Sequence, residues 1–299
     1  MDGLLLFDKP YGLTSHDVVA RARRWYGTRR VGHAGTLDPM ATGLLIVCID
    51  NGTRMSEYLL GQDKRYLAEI KLGQSTNTDD AEGEVIAAAA VPALLPEQLH
   101  GLQAQFCGEI EQVPPQFSAI KKNGQRAYAL ARQGETVELA ARPVTVYSLV
   151  LRQLHADVLQ AEVHCGSGTY IRSLARDIGR QIGCGAHLTA LRRTSIGNFA
   201  LTQAKTREQL DAADRPARAS FLLPIDRAIE HFAQVTLAET DAHRLMMGQV
   251  VAAPPGLPGE WARVYDVRGR FIAIASIEAN WLKPSKVFAQ PGHVDSGVL

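Results

Sequence analysis

The chain has 299 residues, enough for one large domain and a small one. Hydrophobic residues make up 46% and charged residues 21%, a globular balance that excludes a disordered chain. Lys and Arg number 32 against 31 Asp and Glu, so the net charge of +1 announces no polyanionic partner in bulk.

The basic residues are instead clustered. Arg21, Arg23, Arg24, Arg29 and Arg30 crowd one stretch, followed by Lys64 with Arg65, Lys121 with Lys122, and Arg192 with Arg193. Each cluster taken singly reads equally well as a solvated face. The four cysteines, at 48, 107, 165 and 184, show no metal-like spacing, and Cys48 inside an apolar run suits a reduced, buried thiol. Asp2 and Asp8 flank the first apolar patch, unlike a signal peptide. The longest apolar stretch, Val85 to Leu95, contains Pro92 and is too short to span a bilayer. A soluble, cytoplasmic protein with no membrane partner is expected.

In chain order, Leu4 to Phe7 reads as a strand ending at Lys9-Pro10. Thr14 and Asp17 have the spacing of a capping box, and Val18, Val19, Ala22, Trp25 and Tyr26 share one face of the helix that follows. Gly32 to Leu45 then reads Gly-His-Ala-Gly-Thr-Leu-Asp-Pro-Met-Ala-Thr-Gly-Leu-Leu. Pro39 biases Asp38 toward an extended backbone, so no helix runs through. A shaped loop holding one carboxylate is expected, backed by a buried strand over Leu44 to Ile49. Taken alone, Asp38-Pro39 is ordinary turn chemistry.

Met55 to Leu60 reads as a short helix and Arg65 to Leu72 as a strand, with Tyr66, Ala68, Ile70 and Leu72 on one face. By itself Tyr66 is a core aromatic. Gln74 to Glu84 is polar and reads as a surface loop whose spacing does not fit an EF-hand, so no metal is expected. A helix over Pro96 to Phe106 precedes a strand-like Phe117 to Ile120. Lys121 to Leu139 is basic and polar, with a helical piece near Ala127 to Arg132. Val144 to Leu154 and Val158 to Cys165 form a β-hairpin leading into Gly-Ser-Gly-Thr-Tyr-Ile-Arg. Ile171, Leu174, Ala175, Ile178 and Ile182 make a helical stripe, which puts Tyr170 and Arg172 at the mouth of a helix. His187 to Thr194 reads as a strand with two exposed arginines, Arg192 and Arg193. From about Phe232, short strands separated by turn residues suggest a small β-barrel, and Gly292 to Leu299 reads as a frayed tail.

The fourteen-residue string from Gly32 resembles the active-site motif of the bacterial TruB family of pseudouridine synthases. Lys9-Pro10-Tyr11-Gly12-Leu13-Thr14-Ser15, the Tyr170 to Arg172 segment and the Leu191 segment match further family motifs. The resemblance covers essentially the whole chain, densely from Lys9 to Thr194. It implies a mixed α/β (α+β) catalytic domain, residues 1–231, around a largely antiparallel sheet. Residues 232–299 are similar, more loosely, to a PUA-like β-barrel domain.

The reaction so implied is isomerisation of uridine to pseudouridine at position 55, in the T loop of tRNA, without a cofactor. Asp38 falls on the catalytic carboxylate, acting as nucleophile or as base. Tyr66, Tyr170 and Leu191 fall on residues lying against the target base. His33 is a candidate wedge for the space that the flipped base leaves, or merely orders the loop. Arg172 falls on the arginine that pairs with the carboxylate, Asp80 on an acid that helps order the site, and Lys9 is assigned a bracing role, with contact to RNA as the alternative. The 121–139 stretch resembles the insertion by which stand-alone enzymes clamp the T arm, so no guide RNA is expected. A monomer is expected. Two rivals are an RNA-binding protein with a spent active site, opposed by the intact Asp38, Tyr66 and Arg172, and a guide-dependent branch, opposed by the insertion. A metal hydrolase lacks a ligand cluster.

Overall fold

The computed structural model describes residues 1–117, 121–122, 125–126 and 139–289. The expected helix near Ala127 to Arg132, the rest of the 121–139 insertion but for two strand pairs and Leu139, and the tail from Gly292 lie outside the described residues. The chain divides between Leu222 and Leu223 into two compact units.

In the first unit, β1 (Gly3–Lys9) is buried along nearly its whole length. It leads to helix α1 (Ser15–Tyr26) through a turn that Thr14 closes. The Thr14 hydroxyl accepts from Asp17 N at 3.1 Å, and the Asp17 carboxylate accepts from Thr14 N at 2.9 Å. That reciprocal cap, worth about 1 kcal/mol, is the physical reason the helix starts there. Gly27 ends it at φ 64°. The expected stripe, Val18 to Tyr26, is the buried face.

Strands β2 (Val31–Ala34) and β3 (Thr42–Ile49) pair antiparallel, from Val31 opposite Ile49 to Ala34 opposite Ile46. Residues 35–41 are therefore a hairpin connection with both ends fixed by the sheet. Helix α2 (Ser56–Leu60) follows, then β4 (Lys64–Leu72), whose alternate residues Lys64, Tyr66, Ala68, Ile70 and Leu72 are buried. β5 (Gln74–Thr76) and β6 (Val85–Ala88) form a small ribbon. Helix α3 (Pro96–Gln105) and β7 (Gly108–Gln112) precede the two-residue strands β8 (Lys121–Lys122) and β9 (Gln125–Arg126).

The hairpin β10 (Arg142–His155) and β11 (Val158–Cys165) leads to helix α4 (Ile171–Ile182) and strand β12 (Ala186–Ile196). The short strand β13 (Phe199–Ala200), helices α5 (Arg207–Ala212) and α6 (Arg215–Ser220), and β14 (Leu222–Leu223) complete the unit. The main sheet runs β14-β1-β3-β12-β4-β11-β10-β7, with β2 added on β3 and β13 on β12. The contact of β12 with β3 is parallel and only two residue pairs long, Arg192 with Thr42 and Arg193 with Gly43. The β1–β3, β12–β4, β4–β11, β11–β10 and β10–β7 contacts are antiparallel, as expected. α1 and α4 pack Val18, Trp25, Ile171, Leu174 and Ile178 into one core with Phe7, Leu45, Tyr66 and Leu188.

The second unit has a five-stranded sheet in the order β15 (Ala233–Thr236), β17 (Trp261–Tyr265), β18 (Phe271–Glu278), β19 (Trp281–Val287), β16 (Val251–Ala252). Helix α7 (Glu239–Met246) covers it, and Leu245, Val264, Ile272 and Leu282 form its own core. This half-barrel is the C-terminal β domain that the sequence led us to expect. Among the described residues no helix is long and apolar enough to cross a membrane.

Two expectations need correction. Arg193 is not exposed: it is 1% accessible. β12 lies inside the sheet, between β3 and β4, so a residue on its inner face is covered whatever its charge. Arg192 projects to the other face and pairs with Asp8 at 2.7 Å. Likewise Gln74 to Glu84 is not simply a surface loop, because Thr76, Asp79 and Asp80 are buried. Asp80 bridges Leu188 of β12, and Asp79 pairs with Arg176 of α4 at 2.7 Å.

Candidate active site

Asp38 sits midway along the β2–β3 connection. Its carboxylate is 36% exposed, so another molecule can reach it. Several residues fix the loop around it. The Ser15 hydroxyl accepts from Leu37 N at 2.9 Å and donates to Leu37 O at 3.1 Å. Gly12 N donates to Pro39 O at 2.9 Å, and Ala41 N to Asp38 O at 3.1 Å. Lys9 is fully buried and donates to three carbonyls: Leu13 at 2.6 Å, Pro10 at 3.0 Å and Pro39 at 3.3 Å. Burial pushes the Lys9 ammonium down to about 8, partly opposed by Asp38. The motif Lys9 to Ser15 and the loop are thus one hydrogen-bonded body.

Arg172 approaches from the first turn of α4. Its Nε lies 3.0 Å from Asp38 Oδ2 and its Nη1 3.3 Å from Asp80 Oδ2. Nη1 also donates to Thr78 O and Nη2 to Phe117 O, both at 3.0 Å. One planar, 5%-exposed guanidinium therefore joins the Asp38 loop, the 78–80 turn and the 113–117 segment. Asp80 is held in turn by the Thr78 hydroxyl at 2.6 Å and Glu82 N at 3.1 Å.

Tyr66 lies on β4, opposite Arg193 of β12. Its ring belongs to the core, at 9% exposure, and its hydroxyl meets the Arg193 guanidinium. Burial pushes the phenol up from its ordinary value, while Arg193 pulls against it. Leu191, also buried, pairs with Ala68, so it lies two residues along the same face from Arg193. Tyr170 is the N-cap residue of α4. Its backbone N–H donates to Gln112 Oε1 at 2.8 Å, its carbonyl accepts from Gln112 Nε2 at 3.1 Å, and Arg142 lies over its ring at 5.1 Å. His33 of β2 stands edge-on to His16 at 5.7 Å, and its buried Nδ1 finds no hydrogen-bond partner among the described residues. Burial, with His16 beside it, lowers its proton affinity.

The fold thus joins Asp38, Arg172 and Asp80 by ion pairs and ties Lys9 to the same loop. It sets Tyr66 and Leu191 on one sheet face, and gives His33 and Tyr170 other neighbours. Sequence reasoning missed Arg193, the largest of the fully buried side chains. Its signal was available: inward alternation with Leu191 along β12. Lys64 was read as a surface cation, but it is buried, donates to Leu60 O at 2.9 Å and also to Gln62 O, and is pushed down to about 8.

The N-terminal-domain model of the TruB family pseudouridylate synthases matches residues 23–171. The C-terminal domain model of tRNA pseudouridylate synthase B matches 172–230, and a further model, "Pseudouridine synthase II TruB, C-terminal", matches 233–288. The "tRNA pseudouridine synthase B" of Arthrobacter sp. (strain FB24) is 44% identical over 313 residues, covering 98% of this chain and 99% of that one. The chain belongs to the TruB family. A second relative of the same name, from Aromatoleum aromaticum, is 45% identical over 280 residues, 94% of this chain and 90% of its own. Among solved structures, a chain of "Crystal Structure of a Cbf5-Nop10-Gar1 Complex" superimposes with a TM-score of 0.73 at 25% identity, over 96% of this chain and 85% of that one.

Proposed function

We propose that the chain isomerises uridine to pseudouridine in tRNA, at position 55 of the T loop, with Asp38 as the catalytic carboxylate. The observation that carries this is the partly open Asp38 carboxylate, 3.0 Å from a buried arginine, on a loop pinned at both ends. In the reaction the N1–C1′ bond breaks, the base turns while bound, and a C5–C1′ bond forms. C5 loses its proton and N1 gains one, so substrate and product are isomers and no cofactor is required. One carboxylate suffices to start this, as nucleophile or as base.

The target base must leave the folded T loop to reach Asp38. Tyr66 offers the ring against which it lies, and such stacking contributes roughly 1–3 kcal/mol per base. Leu191 and Tyr170 are assigned to the bound base as well, and His33 is the wedge for the vacated space. Arg172 sets the carboxylate's angle, Asp80 holds Arg172, and Lys9 braces the loop. The tRNA partner is gripped without guide RNA, through its T arm and the 121–139 insertion of the 1–231 catalytic domain. Residues 232–299 serve as a PUA-like module. A cytoplasmic monomer fits that partner.

The test is incubation with an unmodified tRNA transcript, followed by mapping of pseudouridine. Modification at uridine 55 alone is expected. A transcript left unmodified would sink the reading, and modification elsewhere would overturn the assigned position.

A further inference from the structure

We propose that Arg193 is a positioning residue for this reaction, setting Asp38 and Tyr66 relative to one another. The inference rests on the function proposed above and concerns a residue outside the Asp38–Arg172–Asp80 group.

Its place in the sheet comes first. Arg193 pairs with Gly43 of β3 on one side and with Tyr66 of β4 on the other. With Arg192, which pairs with Thr42 and Leu67, it is one of the two residues at which the strand leaving the Asp38 loop and the strand bearing Tyr66 are joined, and it is the buried one of the two. The join is close. A Cβ on Gly43 would lie 2.3 Å from Arg193 O and 2.8 Å from Arg193 N, and Gly43 has φ +97°. Only glycine permits that approach.

The guanidinium then grips both limbs of the loop. Nε donates to Leu44 O at 2.8 Å, after Asp38 in the chain. Nη2 donates to Gly35 O at 3.0 Å and Nη1 to Thr36 O at 3.3 Å, before it. The Tyr66 hydroxyl meets the same group. Among the described residues, every hydrogen bond donated to backbone by this guanidinium goes to a carbonyl of the Asp38 loop or of the strand that leaves it, and no carboxylate pairs with it.

That choice of partners is informative. A buried cation without a carboxylate is a costly way to fill a sheet, and an apolar side chain would pack there with less penalty. What an apolar side chain could not do is hold three carbonyls at fixed angles while keeping a cation beside the Tyr66 phenol. A lysine could not either, because its ammonium is a single point and the arginine fork is planar. With 1% exposure, Arg193 cannot itself reach RNA. Its effect must pass through Asp38 and Tyr66.

Arg193→Lys separates this from a merely structural role. Steady-state rates are measured on an unmodified T-arm RNA, normalised to folded protein by circular dichroism. The expected result is a fall in kcat on the order of 100-fold, the penalty of a misplacement near 1 Å. KM and RNA affinity should stay within about threefold of wild type, since an interaction felt only in the transition state is lost. Arg193→Gln, which keeps one donor group and no charge, should show the same split and supplies the measurement if the lysine variant does not fold. An active wild type with a variant kcat within about threefold of it would overturn the inference alone. So would a rate loss that tracks the loss of folded protein, or a rise in KM at unchanged kcat. Wild type without turnover would instead overturn the function on which the inference rests.

Discussion

Arg172 Nε stands 3.0 Å from Asp38 Oδ2 while the same guanidinium reaches Asp80 and two backbone carbonyls. The pair is asymmetric: the arginine is buried and the aspartate is partly open. That asymmetry suits a carboxylate that must meet a substrate from a fixed direction. Arg172→Lys should lower kcat on the order of 100-fold, because one ammonium cannot keep all four contacts. Arg172→Ala should also destabilise the fold by about 3–5 kcal/mol, since it leaves the buried Asp80 carboxylate unpaired. Chemical denaturation and single-turnover rates measure the two effects separately.

Asp38→Asn keeps the shape of the side chain and removes its charge. Pseudouridine formation should become undetectable while tRNA binding, read by filter retention, stays near wild type. Turnover at the wild-type rate in this variant would falsify the assignment of Asp38.

Tyr66 belongs to the core, and the function proposed here gives it the target base as well. Tyr66→Leu should therefore lose turnover and also destabilise the fold on the order of 1–2 kcal/mol. Tyr66→Phe keeps the flat ring and removes only the hydroxyl that meets Arg193. A Tyr66→Phe enzyme as impaired as Tyr66→Leu would assign the hydroxyl a chemical part, read as a proton-transfer isotope effect at C5. Full activity in Tyr66→Leu would remove Tyr66 from the site.

Binding should depend on the exposed cations. Affinity for tRNA is expected to fall steeply with salt, because phosphate contacts release condensed counterions. Removing residues 121–139 should weaken binding without unfolding the sheet. Lys64 should contribute nothing to the salt slope, being buried and bonded to Leu60 and Gln62 carbonyls. A salt titration of wild type and Lys64→Met compares these outcomes, and a flat wild-type slope would take the basic clusters out of the interface.

Stability should carry a signature above neutral pH. Lys9 and Lys64 are both pushed down to about 8 by burial, below their value in the unfolded chain. Between about pH 8 and 10 the unfolded state then binds more protons than the native one, so these two groups make stability rise with pH. The Tm difference between wild type and Lys9→Met should widen in favour of wild type from pH 8 to 10. A difference that shrinks over that window would contradict the burial argument.

Sequence by itself determined the elements and the chemistry they carry. The capping box at Thr14 and Asp17, the alternation of β4 and the stripe of α4 are local patterns, and each formed where its period placed it. Asp38 stood out only through the resemblance of the string from Gly32 to the family's active-site motif, since its proline and glycines by themselves read as an ordinary turn. Tertiary structure decided what no local pattern carries. Arg192 and Arg193 are neighbours of the same type, yet one pairs with Asp8 at the surface and the other is buried under the Asp38 loop. The difference arises because β12 is inserted between β3 and β4, and strand order is a property of the whole sheet. The burial of Asp79, Asp80 and Lys64 was likewise outside the reach of any local pattern. A charged residue is buried when distant carbonyls or counter-charges come to meet it, as Arg176 and Arg172 meet those two acids across nearly a hundred residues of chain.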